Sequence, residues 1–118
     1  MPFDHERLDV YQLGLDFIVL ANDVVERMPR GRGHLADQLS RASTSIVLNI
    51  AEGAGKFSKG DKRRYYLSAL GSATECAAIL DVCLRVAAVD AGVHQRGKEM
   101  LDRVVAMLVR LAKAVQPD

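Results

Sequence analysis

The stretch that decides the fold is NIAEGAGKFSKGDKRRYYLSALGSATEC, residues 49–76. It begins as the end of an apolar helix, passes through the glycine-containing segment GAGKFSKGD, and re-enters a helical pattern at KRRYY. Glycines between two periodic segments indicate a turn. Ser58 followed by Asp61 resembles a capping box, which marks the start of a helix. The stretch therefore predicts a helical hairpin whose turn carries several basic side chains.

Outside this hairpin, apolar residues continue to recur at intervals of three and four, as one face of a helix requires. The pattern predicts four helices at about residues 4–27, 35–54, 59–89 and 93–115, and the prolines at positions 2, 29 and 117 fall outside or between them. Short turns between long helices imply antiparallel neighbours. We therefore expect one all-α domain, residues 1–118, with the fold of an antiparallel up-down four-helix bundle.

The first predicted helix carries two apolar stripes instead of one. The first stripe is Leu8, Tyr11, Leu15, Ile18, Asn22 and Val25, and the second is Leu13, Phe17, Leu20 and Val24. A bundle of this size buries about one stripe per helix. The remaining stripe favours self-association, and the alternative is that this helix sits more deeply in its own bundle.

The composition limits the classes of protein to which this chain can belong. Apolar residues make up 49% of the chain, charged residues 26%, and the formal net charge is +1. We find no targeting segment and no run of 18 apolar residues, so we expect a cytoplasmic protein that does not cross a membrane. Cys76 and Cys83 lie two helical turns apart, too far for a disulfide, and are expected to be small buried hydrophobes.

Catalytic and metal chemistry lack support in the sequence. His5, His34 and His94 have no glutamate three residues before them, as di-metal helical bundles require, and no nucleophile motif is present. Arg27 and His34 have the loose R-x6-H spacing of some helical ribonucleases, but a proline and two glycines separate them. We expect no cofactor, no metal and no enzymatic activity, with a ribonuclease as the weakest alternative.

Charge is distributed unevenly along the chain. Between Arg27 and Arg64 there are nine basic residues against three acidic ones, whereas the rest holds seven basic against twelve acidic. Such asymmetry can serve an electrostatic partner. The candidate nucleic-acid-binding residues are Lys56, Lys59, Lys62, Arg63 and Arg64, with Arg41 as a flank.

Five cations around one helix start act against the helix dipole, which favours an external anion such as phosphate. Tyr65 and Tyr66 follow directly and are residues of the kind that stack on bases. The alternative is a solvated turn with no ligand. Arg27, Arg30 and Arg32 are expected at the opposite end of the bundle, so a continuous basic patch would need Arg41 or a neighbouring subunit.

Three polar residues near the hairpin are interpreted as structural. Asn49 and Glu52 end the second helix and Glu75 lies within the third. Buried amides and carboxylates of this kind fix helix register by bonding to backbone or to an arginine. We expect Glu52 to pair with Arg63 or Arg64.

These residues also carry a family resemblance. The segment SRASTSIVLNIAEGAGKFSKGDKRRYYLSALGSATEC resembles the signature of the 23S rRNA intervening-sequence proteins. The matching positions are Arg41, Ser45, Ile46, Asn49, Ile50, Ala51, Glu52, Gly53, Ser58, Tyr66, Leu67, Gly71, Ser72 and Glu75. The resemblance implies a small helical bundle that assembles into a homopentameric ring, with no enzymatic activity.

The family is also similar to the accessory variability determinant of diversity-generating retroelements, a basic pentamer that binds nucleic acid and a reverse transcriptase. The resemblance therefore implies structured RNA, DNA or a nucleic-acid-processing protein as a partner. Together with the residues, it predicts a non-enzymatic oligomeric scaffold that binds through the basic turn. The alternative is a structural or protein-interaction module without nucleic-acid binding.

Overall fold

The computed structural model describes residues 3–118, which contain four α-helices and no strand. A short 3₁₀ turn, Asp4–Arg7, precedes the first helix. The helices are α1 (Asp9–Glu26), α2 (Gly33–Ala54), α3 (Lys59–Arg85) and α4 (Ala91–Ala114). The predicted all-α class and the number of helices are confirmed.

Each helix packs against two others. α2 lies next to α1 and α3, and α4 lies next to α3 and α1, whereas the backbones of the diagonal pairs are further apart within residues 3–118. This neighbour pattern, with short turns between consecutive helices, supports the predicted up-down order. The α2–α3 turn then shares one end of the molecule with the chain termini, and a Cβ built on Gly60 would lie 3.9 Å from Cγ of Pro117.

All four helices contribute to one apolar core. On α1 the core face is the second of the two predicted stripes, represented by Leu13, Phe17 and Val24, which are buried. The first stripe is only partly covered, and its Leu15 and Asn22 are exposed. The largest fully buried side chains are Phe17, Leu39, Ile46, Ile50, Leu80, Leu101, Val104 and Leu108.

Two helix boundaries differ from the prediction by more than two residues. α1 begins at Asp9 instead of Asp4, because Leu8 adopts an extended conformation with φ −85° and ψ 124°. α3 ends at Arg85 instead of Val89, because Ala87 takes a left-handed conformation with φ 60°. Leu84, in the last turn of the helix, is exposed.

A close approach of α2 to α3 sets the geometry of the hairpin. A Cβ on Gly53 would lie 2.8 Å from Cε1 of the Tyr66 ring, so only glycine fits there. The small residues in the middle of α3 lie in two environments: Ala69 and Ala73 are buried in the core, whereas a Cβ on Gly71 would meet no atom within 4 Å. The outer surface of α3 is therefore uncovered in the single chain.

Candidate nucleic-acid interface

The basic turn, defined here as residues 55–64, is fixed by one hydrogen bond at the end of α2 and by another at the start of α3. The N–H of Gly55 donates to the carbonyl of Ala51 at 3.2 Å and closes α2. Ser58 is the N-cap of α3, and its Oγ accepts from the N–H of Asp61 at 3.1 Å, as the sequence predicted. Phe57 therefore lies on a short segment that is tied to a helix on each side.

Lys62 serves the hairpin itself. Its Nζ donates to the carbonyl of Ala54 at 2.8 Å and to that of Gly53 at 3.4 Å. These carbonyls belong to the last turn of α2, where backbone acceptors lack partners within the helix and a cation is favourable. The structure thus gives Lys62 a capping role within the hairpin. Its contact with nucleic acid stays a prediction.

Tyr65 is flanked by two of the other cations. The Lys56 ammonium lies 5.2 Å from the centroid of the ring and the Arg64 guanidinium 5.1 Å, within the range of cation–π attraction. Lys56 also lies 3.5 Å from a Glu52 oxygen, and Arg64 lies 3.7 Å from Asp61. These ion pairs are exposed, so the attraction within each is weak and screened by salt.

The remaining two cations of the turn have no ion pair within residues 3–118. Lys59 is exposed at the start of α3. Arg63 is half-buried, and its Nε is buried without a hydrogen-bond partner in this part of the chain. The charge that the turn presents to solvent is therefore carried chiefly by Lys56, Lys59 and Arg64.

The predicted stacking role of the tyrosines is not supported. Tyr66 is only 4% exposed, and its pKa is raised by burial and then by the nearby Asp4 carboxylate. Tyr65 is half-buried between its two cations. Phe57, in contrast, is 103% exposed. One signal in the sequence was missed: an aromatic residue at the centre of a glycine- and lysine-containing turn has little to pack against.

The other basic residues lie elsewhere. Arg41 is exposed in the middle of α2, roughly 22 Å along the helix from Lys56 at about 1.5 Å per residue. Arg27 belongs to the α1–α2 turn at the opposite end and pairs with Asp23 at 3.0 Å. Because α1 ends at Glu26 and α2 begins at Gly33, no single helix holds Arg27 and His34, as expected. The basic residues form separate groups on one chain.

A family model described as 23S rRNA-intervening sequence protein matches residues 6–110 of this chain. The chain belongs to that family. The match covers all four helices except the last residues of α4, so the resemblance seen in the hairpin extends over nearly the whole fold.

A solved structure supports the fold. A protein of unknown function from the S23 ribosomal protein family of Bacteroides thetaiotaomicron superposes with a TM-score of 0.82. The alignment covers 88% of this chain and 98% of that one, at 21% sequence identity. Similarity at this level establishes the shared architecture alone. Comparison with curated proteins found no match.

Some signature residues of the family form a polar link between α2 and α3. Asn49 Nδ2 donates to the carbonyl of Ser45 at 2.9 Å and to Ser45 Oγ at 3.0 Å, and Ser72 Oγ donates to Ser45 Oγ at 2.9 Å. The link is partly buried, and it ties the two helices of the hairpin at one register. These bonds agree with the structural role expected of Asn49.

The prediction for the two glutamates is wrong. Glu52 is exposed and pairs with Lys56, not with Arg63 or Arg64. Lys56 is one helical turn away from Glu52, whereas the arginines start the next helix. Glu75 is also exposed, on the outer surface of α3, and forms no ion pair within residues 3–118.

A second polar cluster ties α3 to α4. Asp81 Oδ1 accepts from Lys98 Nζ at 2.7 Å and lies 2.8 Å from His94 Nε2. The bonds from Lys98 and then from His94 lower the pKa of the Asp81 carboxyl below its ordinary value. Asp81 is 13 and 17 residues from these partners, so no local pattern in the sequence indicated the cluster.

The remaining observations concern the cysteines, the metal-ligating residues and the hydropathy of α3. Cys76 and Cys83 are free and buried, as predicted. Within residues 3–118, no three His, Cys, Asp or Glu residues lie close enough together to hold a metal ion. By length and hydropathy alone α3 could cross a bilayer, but one such helix decides little, because a core helix of a soluble bundle passes the same test.

Proposed function

We propose that this protein is a non-enzymatic, cytoplasmic helical scaffold that binds nucleic acid through the basic turn. The observation that carries the proposal is the tip of the turn, where Lys56, Lys59 and Arg64 accompany a fully exposed Phe57. Cations attract phosphates by releasing condensed counterions. An exposed aromatic ring among them adds a surface that a purely solvated turn does not need.

The proposal includes assembly into a ring of identical subunits, which is supported by uncovered apolar side chains on the helix surfaces. Leu15 and Val19 on α1, and Leu67 and Val82 on α3, are all more than a third exposed. Five subunits is the number that the family resemblance implies. A ring repeats each basic turn, so a modest charge on one chain becomes several binding elements, and avidity strengthens the total affinity.

The test is binding of a fluorescein-labelled RNA hairpin, followed by anisotropy between 50 and 200 mM KCl. If each basic turn neutralises about three phosphates, the logarithm of the binding constant should fall with the logarithm of the salt concentration. The expected slope is near −2 to −3 for each subunit that binds RNA. The variant Lys59→Glu/Arg64→Glu is expected to weaken binding at least tenfold. Lys62 is left intact because it caps α2.

The matched control places the same charge change at the opposite end of the bundle. Arg30→Glu/Arg32→Glu alters net charge equally but lies in and beside the α1–α2 turn, and should change affinity less than about threefold. Equal losses in the two variants would mean that binding follows net charge alone. Sedimentation of the wild type as a 12.9 kDa monomer would contradict the ring.

A second function is favoured by the internal partners of the cations. Glu52 and Asp61 lie beside Lys56 and Arg64, and the carbonyls of α2 bind Lys62. If these internal partners bind the cations of the basic turn and leave none for a ligand, the protein is a protein-interaction module. Its ligand then contacts the apolar surfaces of α1 and α3. That function predicts no salt-dependent binding to RNA or DNA, with an intact oligomer.

A further inference from the structure

The Phe57 ring points into solvent and does not pack against the rest of the chain. Its side chain is fully exposed, although the turn that holds it is short and is fixed by the end of α2 and by the Ser58 cap. An exposed phenylalanine keeps its apolar surface in water, so it contributes nothing to the fold of the single chain. The structure offers the ring to a ligand without requiring the turn to rearrange.

The charged residues near Phe57 in the chain indicate the chemistry of that ligand. Lys56 precedes it and Lys59 follows two residues later, so positive charge lies on both sides of the ring in the chain. Lys56 and Arg64 are further held over Tyr65, which limits the conformations that they must give up on binding. A flat apolar ring between cations fits a ligand with a flat apolar face and a phosphate on either side.

On the basis of the proposed function, we propose that the basic turn binds unpaired nucleotides, with a base stacked on the Phe57 ring. A duplex offers cations its phosphates but keeps its base faces inside the helix, whereas single strands and loops present them. Because Tyr66 is buried and Tyr65 is engaged by its cations, Phe57 is the ring in the turn with an open face.

A groove beside the turn gives the strand room to continue. Its volume is about 410 Å³, and it lies between the N-terminal segment and the end of α2, with Phe3, His5, Leu48, Lys56 and the carboxylates of Asp4 and Glu52 among its lining residues. Phe3 stacks on His5 with ring centroids 5.8 Å apart and is itself largely exposed. This second aromatic surface shares its groove with Lys56, the residue that precedes Phe57.

The first test compares a fluorescein-labelled 12-nucleotide RNA as a single strand with the same strand annealed to its complement. Phe57→Ala is expected to weaken single-strand binding about tenfold or more, in line with the loss of one stacked base, and to change duplex binding less than twofold. Leu84→Ala also shortens an exposed apolar side chain, at the end of α3 far from the basic turn, and is expected to leave both affinities unchanged. Circular dichroism checks that every variant keeps the helical fold.

A second variant reports stacking directly. The chain has no tryptophan, so Phe57→Trp introduces the one indole in the protein. The single strand is expected to bind this variant as tightly as the wild type and to quench its fluorescence, whereas the duplex leaves the fluorescence unchanged. An unquenched tryptophan in a complex with bound single strand would overturn the inference.

The outcomes separate this inference from the proposed function. Equal wild-type affinity for both RNA forms, with no effect of Phe57→Ala, would overturn the stacking role and leave the basic turn as a phosphate-binding site. Absence of salt-dependent binding to either form would overturn both. If Phe57→Ala reduced the sedimentation mass without changing RNA affinity, the ring would be a contact between protein subunits, and the inference would again be wrong.

Discussion

The Lys62 ammonium donates to the Ala54 carbonyl at 2.8 Å, so the first turn of α3 caps the end of α2. This bond joins the two helices across the basic turn, together with the weaker contact to Gly53 at 3.4 Å. A cluster of cations at the start of α3 opposes its helix dipole, yet one of them is stabilised by the dipole of the preceding helix. The unfavourable charge pattern is thus partly explained without a ligand.

Replacing Lys62 by methionine is expected to lower the free energy of unfolding by about 1 kcal/mol, because the half-buried carbonyls of α2 lose a charged donor. Urea unfolding followed at 222 nm, at one fixed protein concentration, measures the change. Lys59→Met removes the same charge from an exposed position and should stay within about 0.5 kcal/mol of the wild type. Equal losses in the two variants would show that Lys62 has no capping role.

The left-handed residue that ends α3 gives a second prediction. The N–H of Ala88 donates to the carbonyl of Cys83 at 2.7 Å and that of Ala87 to Leu84 at 3.1 Å, the bonds of a Schellman motif. Ala87, at φ 60°, occupies the position that glycine takes without steric penalty. Ala87→Gly is therefore expected to raise the unfolding free energy by about 0.5–1 kcal/mol.

Ala78→Gly is the control for that substitution. Ala78 is exposed within α3, so the same change should lower stability by about 1 kcal/mol. Opposite signs for the two variants in parallel urea titrations are the expected result. A loss of stability in Ala87→Gly would mean that the left-handed conformation is not the one populated in solution.

Two helical glycines are expected to respond oppositely to alanine. A Cβ at Gly53 would lie 2.8 Å from the Tyr66 ring and 3.1 Å from Cβ of Tyr65, and neither can move away easily. Gly53→Ala should destabilise the protein by about 1–2 kcal/mol, even after the gain in helix propensity. Gly71→Ala adds a Cβ in open space and should stabilise α3 by up to about 1 kcal/mol. A loss at Gly71 would indicate that a second chain covers this surface.

The sequence predicted most of the fold because helical periodicity is a local property. The Ser58 cap and the turn glycines are also local signals, and they predicted the end of α2 and the start of α3 to within a few residues. The end of α3 was missed because VAAV carries no glycine, although Ala87 adopts the conformation in which glycine is usual. The start of α1 was missed because an extended Leu8 leaves the apolar spacing unchanged.

The site was less predictable because its chemistry depends on contacts between helices. The bond from Lys62 to Ala54 requires the end of one helix and the start of the next to be positioned in space. Glu52 was assigned the wrong partner because Lys56, one turn away, competes with cations across the turn. Exposure of Phe57 was missed, although its place among glycines and lysines in a turn indicates it.

The cysteines give a prediction about reactivity. Burial and then the charge of Glu75 raise the pKa of Cys76 to about 12, and burial raises the pKa of Cys83. Both thiols are expected to resist a disulfide reagent such as DTNB at pH 8 in the native protein and to react fully in urea. Because an unfolded thiol ionises near pH 9.0, stability should fall as pH rises above that value. Fast labelling of the native protein would contradict this burial.

The Asp81 cluster gives a prediction on the acid side. Because its bonds to Lys98 and His94 lower the pKa of Asp81 in the folded state, the unfolded chain binds a proton at a higher pH than the folded one. The stabilisation that the cluster gives is therefore complete above pH 3.8, the ordinary pKa of an aspartate. It is lost as the pH falls through the lower pKa that Asp81 has in the folded state.

Asp81→Asn is accordingly expected to lower the urea midpoint by a constant amount between about pH 5 and 7, and the difference from the wild type should shrink as pH falls below about 4. Lys98→Met removes the larger of the two bonds and should show the same trend. In the double variant the losses should be less than additive, because both changes break one interaction. A difference between wild type and Asp81→Asn that persists undiminished at pH 3 would show that packing, and not the charge on Asp81, joins α3 to α4.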